Sequence, residues 1–480
     1  MVDRRTFIAG TAAVSGLAAA GGLSVSNASA QDAAASQAGH IKGATAITKV
    51  YGAGQKLIAL AVEYDRDIDN SALCGSAFEV ADRTVTKVYA NRTPELAERG
   101  RDGRYVMVEL SPDDDGALLW STGGGGGGGG DTASPSASTS ASASPSPSPS
   151  GSTGTGAGAG GPKVGDTTPS NATLTPASAT VTQTGPVATV HGGALPTNST
   201  PVTTSSVSNL VVDDFRQFTF DDPATGQTLR YNLFVPKSHR HGSPGRRYPL
   251  VLFMHDASLI NIDTISPLVQ GNGAVCWASP EDQARNEAFV LAPEYGAVVV
   301  DDDYEPMALF ETTAHLVEEI TETYAVDADR RYTTGQSMGA MMSLGLNIAY
   351  PDLFAAAYIV AGQWPAEQAA PLARKNLWIV VSQDDTKAYP GGNAITDVIA
   401  AQGTSVGKAV WDAGATAAQF AADVRNLEKQ KAPVNYATFL TGTVTANSTA
   451  TNAHMGTWQI AYDIPGIRDW IFRQTRRTGH

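Results

Sequence analysis

The sequence predicts an α/β fold, a mostly parallel sheet with helices on both faces, preceded by a small all-β sandwich that carries a long disordered insertion. Three observations support this. From residue 248 onward, short apolar runs alternate with segments of helical period, the pattern of buried parallel strands joined by helices. Between 47 and 120, apolar and alternating runs are separated by Gly, Asp, Asn and Pro, as in a sandwich. After these, residues 123–130 are all glycine and Ser/Pro/Ala/Thr repeats follow to about 170. Such a stretch cannot bury enough apolar surface to offset its ordering entropy.

In chain order, residues 1–30 read as an export signal. Arg4-Arg5 followed by Thr6, Phe7 and Ile8 resembles a twin-arginine motif, and Ala28-Ser29-Ala30 supplies the small residues a signal peptidase needs. The apolar run between them is short and rich in Gly and Ser, so a membrane anchor is the weaker reading. No later stretch has the length and apolarity of a transmembrane helix. The mature protein is expected outside the bacterial cytoplasm.

Sandwich strands are expected at 48–51, 56–64, 83–89 and 104–110, and strand patterns resume at 179–182 and 186–190. This places an insertion (121–175) inside one sandwich (31–120 and 176–211) rather than a linker between two domains. Asp65, Asp67 and Asp69 are spaced like calcium-loop ligands, but no Gly-x5-Glu follows and a solvated turn is preferred.

Residues 212–480 form the second part. It opens with a hairpin, 215–220 and 229–235, around a turn at 221–226. Buried strands follow at 248–254, 289–292, 355–360, 377–381 and 436–440, with a further strand running into Gly335. Ala314, Val317, Ile320 and Tyr324 place a helix over 311–326, and a final helix is expected from 458 to about 473. Strands and helices in this order give the α/β-hydrolase architecture.

Composition narrows the chemistry. The net charge of −14 argues against a nucleic-acid partner and reads as solubility. The two cysteines, Cys74 and Cys276, fall in different parts of the chain, so two separate thiols are preferred to a disulfide. Nothing has metal-ligand spacing, and no cofactor is expected.

Gly-x-Ser-x-Gly occurs twice, at 335–339 and 403–407. Ser405 follows the end of a helical pattern with no buried strand entering it, which reads as a helix cap and loop. Ser337 has a strand before it and a small-residue helix after it, the order a nucleophile elbow requires. In this architecture the partners run acid, then histidine, after the serine. Of eight histidines only His454 and His480 follow Ser337, and His480 is the terminal residue. His454 is expected in a loop between the last strand and the final helix. The acid leaves the C-terminal end of a strand, which narrows it to Asp384 or Asp385. Oxyanion donors are expected from the backbone of Met338 and from His255-Asp256-Ala257, with Asp256 the choice and His255 a structural residue. Trp277, Trp364 and Tyr389 lie beside these motifs; Trp364 is the candidate cleft residue and Trp277 reads equally as core.

With His255-Asp256-Ala257, the Gly335–Gly339 pentapeptide, the run 382–391 and Asn452–Trp458 in order, residues 213–474 resemble secreted bacterial α/β-hydrolase esterases. These are the prolyl-oligopeptidase-like or polyhydroxybutyrate-depolymerase-like serine hydrolases. Gly273–Trp277, Gln283 and Phe289–Tyr295 add to the resemblance. It implies that the triad acid is Asp385, and that the preceding sandwich is immunoglobulin-like. Two departures stand out: Asp256 occupies a position that is Gly in many hydrolases, and the insertion is unusual.

The expected function is a secreted serine carboxylesterase acting on a small-molecule or polymeric ester through an acyl-enzyme on Ser337. A peptidase of the same fold is the first alternative, though no blade-like repeat of a propeller gate is visible. A non-catalytic surface-binding protein is the second, and the complete Ser/Asp/His set argues against it.

Overall fold

The computed structural model describes residues 40–122, 162–240 and 245–476. The export-signal motif and the glycine and Ser-Pro repeats lie outside the described residues.

In the N-terminal part, alternation sends Leu60, Val62, Tyr64, Val106 and Val108 into one core with Phe78 and Val181. A five-stranded sheet runs in the order Ser206–Asn209, Ile41–Tyr51, Gly54–Ile68, Gly103–Leu110, Val85–Asn91. A three-stranded sheet, Asn198–Thr203, Thr180–Gln183, Phe78–Val80, packs on it. Thr180–Gln183 pairs with Phe78–Val80, and Ser206–Asn209 pairs with Ile41–Tyr51. Chain on both sides of the low-complexity run therefore builds one sandwich. Inside it, Tyr64 Oη donates to Gln183 Oε1 at 2.9 Å. Strands 198–203 and 206–209 are too polar to show in the sequence, and backbone pairing sets them.

The expected insertion boundary at 175 is corrected. Residues 162–175 have defined positions because backbone bonds supply what their composition does not. Gly165 N donates to Val298 O at 2.9 Å, Val298 N to Asp166 O at 2.9 Å, and Ser170 N to Ile260 O at 3.1 Å. Thr173–Leu174 then pairs with Trp120–Ser121.

The C-terminal part is a nine-stranded sheet. Its strands are β1 (Phe215–Asp222), β2 (Gln227–Phe234), β3 (Tyr248–Met254), β4 (Phe289–Glu294), β5 (Val326–Gln336), β6 (Ala356–Val360), β7 (Asn376–Ser382), β8 (Val406–Trp411) and β9 (Val434–Phe439). Their order is β1-β2-β4-β3-β5-β6-β7-β9-β8. The first two pairings are antiparallel and the rest parallel. The edge strand β8 was not expected; Lys408 and the exposed Val410 interrupt its apolar pattern.

The period-two rule divides the core. Leu250, Leu252 and Met254 of β3 face a cluster with helices α1 (Leu309–Thr323) and α2 (Met338–Ala349). Val251 and Phe253 face the other cluster, with Trp458, Trp470 and Phe472. Helices α3 (Ala388–Ala401) and α4 (Ala417–Glu428) precede β8 and β9. The expected single final helix is two, α5 (Ala453–Ala461) and α6 (Pro465–Phe472), because Pro465 begins a new helix instead of continuing the old one.

Candidate active site

Strand β5 ends at Gln336 and α2 begins at Met338, leaving Ser337 alone at the turn. Its φ of 51° and ψ of −117° lie where non-glycine residues pay about 1–3 kcal/mol. The surroundings enforce that conformation. Ser337 N donates to Val360 O at 3.2 Å, and Ser337 O accepts from Met341 N at 2.9 Å. The flanking glycines are required by close approach to the end of β3. A Cβ on Gly339 would lie 2.0 Å from Met254 O, and one on Gly335 2.4 Å from Gly339 C.

His454 is the second residue of α5, not a loop residue as expected. Asn452 caps that helix, its side chain accepting from Met455 N at 2.8 Å. The cap fixes the first turn, and Trp458, one turn on, packs edge-on against the His454 ring at 5.2 Å. His454 Nε2 lies 2.9 Å from Ser337 Oγ, and His454 Nδ1 lies 2.5 Å from Asp385 Oδ2.

Asp385 follows β7 and is buried. Its other oxygen accepts from Lys387 N at 3.1 Å and Ala388 N at 2.8 Å. Burial pushes its carboxyl up, but the His454 hydrogen bond and charge with the two backbone donors outweigh this and hold it below the ordinary carboxylate value. Asp384 turns elsewhere and accepts from Gly442 N at 2.6 Å.

Met338, expected as an oxyanion donor, is the first residue of α2, so its N–H has no intrahelical acceptor. The loop after β3 is held by the wholly buried His255. Tyr295 N donates to His255 Nε2 at 3.1 Å, which leaves Nδ1–H to donate to Asp256 O at 2.7 Å. Burial lowers the His255 pKa, in keeping with a neutral ring. The Asp256 side chain points inward, where Oδ1 accepts from Ser258 N at 2.8 Å.

Trp364 is not a cleft wall. It is 6% exposed, and a Cβ on Gly345 of α2 would meet its ring at 2.7 Å. Apolar packing under α2 takes the ring inside, while the half-buried Tyr304 lies edge-on to it at 5.5 Å. Trp277 is fully buried in the core. Cys74 is an exposed free thiol and Cys276 a buried one. Ser405 is exposed, between the left-handed Gly403 and β8. Asp69 caps a turn by accepting from Ser71 N. Among the described residues no cluster of three or more His, Cys, Asp or Glu suits a metal, and no helix is long and apolar enough to cross a membrane.

Sequence reasoning missed the buried amides of Gln270 and Gln336, which contact Asp256. Gln336 was visible as the second residue of Gly-x-Ser-x-Gly, but its direction is set by the fold. The helical placement of His454 was legible from Asn452, a strong N-cap residue. Chemically, the line Asp385–His454–Ser337 has the donor and acceptor order that moves a serine proton to an imidazole and leaves an alkoxide able to attack a carbonyl.

Residues 43–196 match the family model described as "Esterase Ig-like N-terminal domain", and residues 223–443 the one described as "Putative esterase". A protein of Nocardia uniformis subsp. tsuyamanensis, "Putative esterase NocK", is 31% identical over 144 residues, spanning 30% of this chain and 41% of that relative. A solved structure described as a thermostable esterase aligns over 91% of this chain and 100% of its own, with a TM-score of 0.69 and 24% identity. That likeness shows the fold in both parts. The chain thus carries two parts, one matching an esterase Ig-like N-terminal domain and the other, of α/β-hydrolase fold, matching a putative esterase domain.

Proposed function

We propose that this protein is a secreted serine carboxylesterase that hydrolyses carboxylic esters through an acyl-enzyme on Ser337. The observation that carries the proposal is the unbroken hydrogen-bonded line from Asp385 through His454 to a strained, partly exposed serine.

In this reading His454 takes the Ser337 proton as Oγ attacks the ester carbon. Asp385 holds the imidazole in the tautomer that keeps Nε2 free and stabilises the imidazolium once formed. Met338 and Asp256 N–H groups receive the oxyanion. Collapse expels the alcohol, protonated by His454, and leaves an acyl group on Oγ. Water, activated by the same imidazole, then releases the acid. Export rests on the Arg4-Arg5 motif and on Ala28-Ser29-Ala30.

Turnover of p-nitrophenyl esters compared with aminoacyl anilides tests the substrate class. The proposal expects ester cleavage that is lost in Ser337→Ala and little anilide cleavage. Preference for the anilide would favour the peptidase reading instead. Export is tested by N-terminal mass spectrometry of protein recovered outside the cytoplasm, which is expected to begin at Gln31.

A further inference from the structure

The two proposed oxyanion donors belong to different segments, the start of α2 and the loop after β3. The sheet ladder joins those segments only as far as Met254 opposite Gly335. Beyond that point a second connection exists, made of side chains. Asp256 Oδ2 accepts from Gln336 Nε2 at 2.8 Å and from Gln270 Nε2 at 2.5 Å. Gln336 Nε2 also donates to Gln270 Oε1 at 3.0 Å, and Gln270 Nε2 reaches Ser258 Oγ at 3.3 Å. Asp256, Gln270 and Gln336 are 4%, 6% and 2% exposed.

A carboxylate removed from water is a costly group, retained here only because amide donors surround it. Its location is informative. Gln336 immediately precedes Ser337, and Asp256 is the residue whose backbone N–H is proposed above as the second oxyanion donor. We infer that the Asp256 carboxylate is a positioning residue, clamping the loop after β3 to the nucleophile elbow through Gln336 and Gln270 so that the two oxyanion donors keep a fixed separation. This gives the aspartate at a position that is glycine in many hydrolases a specific task. The inference rests on the serine-esterase reading above.

The clamp depends on polarity as well as shape, which makes it testable. In Gln336→Glu a second carboxyl replaces the amide beside Asp256. The neighbouring His255 is buried and its Nε2 accepts from Tyr295 N, so that ring brings no positive charge to offset the added one. When the pair shares a proton, the introduced carboxyl donates to Asp256 as the amide did; when both ionise, they repel. Wild type, Asp256→Asn and Gln336→Glu would be compared for kcat and KM across pH, with melting temperature recorded at each pH. In Asp256→Asn one donor faces another donor, and kcat is expected to fall about 10- to 100-fold with KM nearly unchanged. In Gln336→Glu the kcat ratio to wild type is expected to fall as pH rises while the enzyme stays folded.

Wild-type kcat in both variants at every pH would overturn the inference. So would a pH-independent loss in Gln336→Glu that merely follows melting temperature. Fluorophosphonate labelling of the wild type separates the two layers, since its absence overturns the serine reading itself and not the clamp alone.

Discussion

Asp385 Oδ2 sits 2.5 Å from Nδ1 of His454, 69 residues further along the chain, while the adjacent Asp384 directs its carboxylate at Gly442 N. Two neighbouring acids at one strand end therefore have separable tasks. Asp385→Asn is expected to lower kcat about 10⁴-fold with the fold intact, because the amide no longer sets the imidazole tautomer. Asp384→Asn is expected to keep kcat within a few-fold and to cost about 0.5–1.5 kcal/mol of stability. Steady-state kinetics and urea unfolding of the two variants check this pair of outcomes.

The same contact makes stability depend on acid. A carboxyl whose pKa is lower folded than unfolded stabilises the fold above its unfolded value. That contribution is lost as pH falls through the folded value. Native Asp385 has such a depressed pKa, so Asp385→Asn is expected to reduce the steepness of acid unfolding below about pH 4. Denaturation midpoints across that range measure it.

Glu294 works in the opposite direction. It is buried at the end of β4, where Oε2 pairs with Arg230 Nη2 at 2.5 Å and Oε1 accepts from Ile262 N at 3.0 Å. Burial raises its pKa to about 7, against a smaller lowering by Arg230. The folded state then binds more protons than the unfolded chain between the ordinary glutamate value and about 7, and this contribution to stability declines as pH rises through that window. Glu294→Gln mimics the protonated form. It is expected to match wild type near pH 5 and to gain on it by on the order of 1–3 kcal/mol at pH 8, read from urea midpoints.

The two Gly-x-Ser-x-Gly copies provide a contrast. Gly339→Ala would drive a Cβ to 2.0 Å from Met254 O, a backbone atom that cannot step aside cheaply. It is expected to cost about 3 kcal/mol or more and to abolish activity. Ser405→Ala, on an exposed loop, is expected to leave activity unchanged and stability within about 0.5 kcal/mol. Melting temperatures and ester turnover of both variants check the contrast.

These relationships mark what the sequence could tell. β3 was legible because Tyr248–Met254 is wholly apolar, and it is buried throughout. The elbow was legible because two glycines and a small-residue helix surround Ser337. His454 was reached by chain order alone, since only His480 competed with it. What failed was set by tertiary context. Trp364 has the composition of a cleft residue, but space above Gly345 draws it into the core. Strand 206–209 has no apolar pattern and exists through its pairing with 41–51. Residues 164–170 read as low complexity, but bonds to Val298 and Ile260 hold them. The side chain of Asp256, read only for its backbone donor, carried no visible role because its partners, Gln270 and Gln336, are 14 and 80 residues away.

Covalent labelling of the intact protein with a fluorophosphonate probe, followed by peptide mapping, tests the central claim most directly. One equivalent of adduct is expected on Ser337, slowed strongly in His454→Ala and absent in Ser337→Ala. No adduct on the wild type, or an adduct on another residue that persists in Ser337→Ala, would contradict the account.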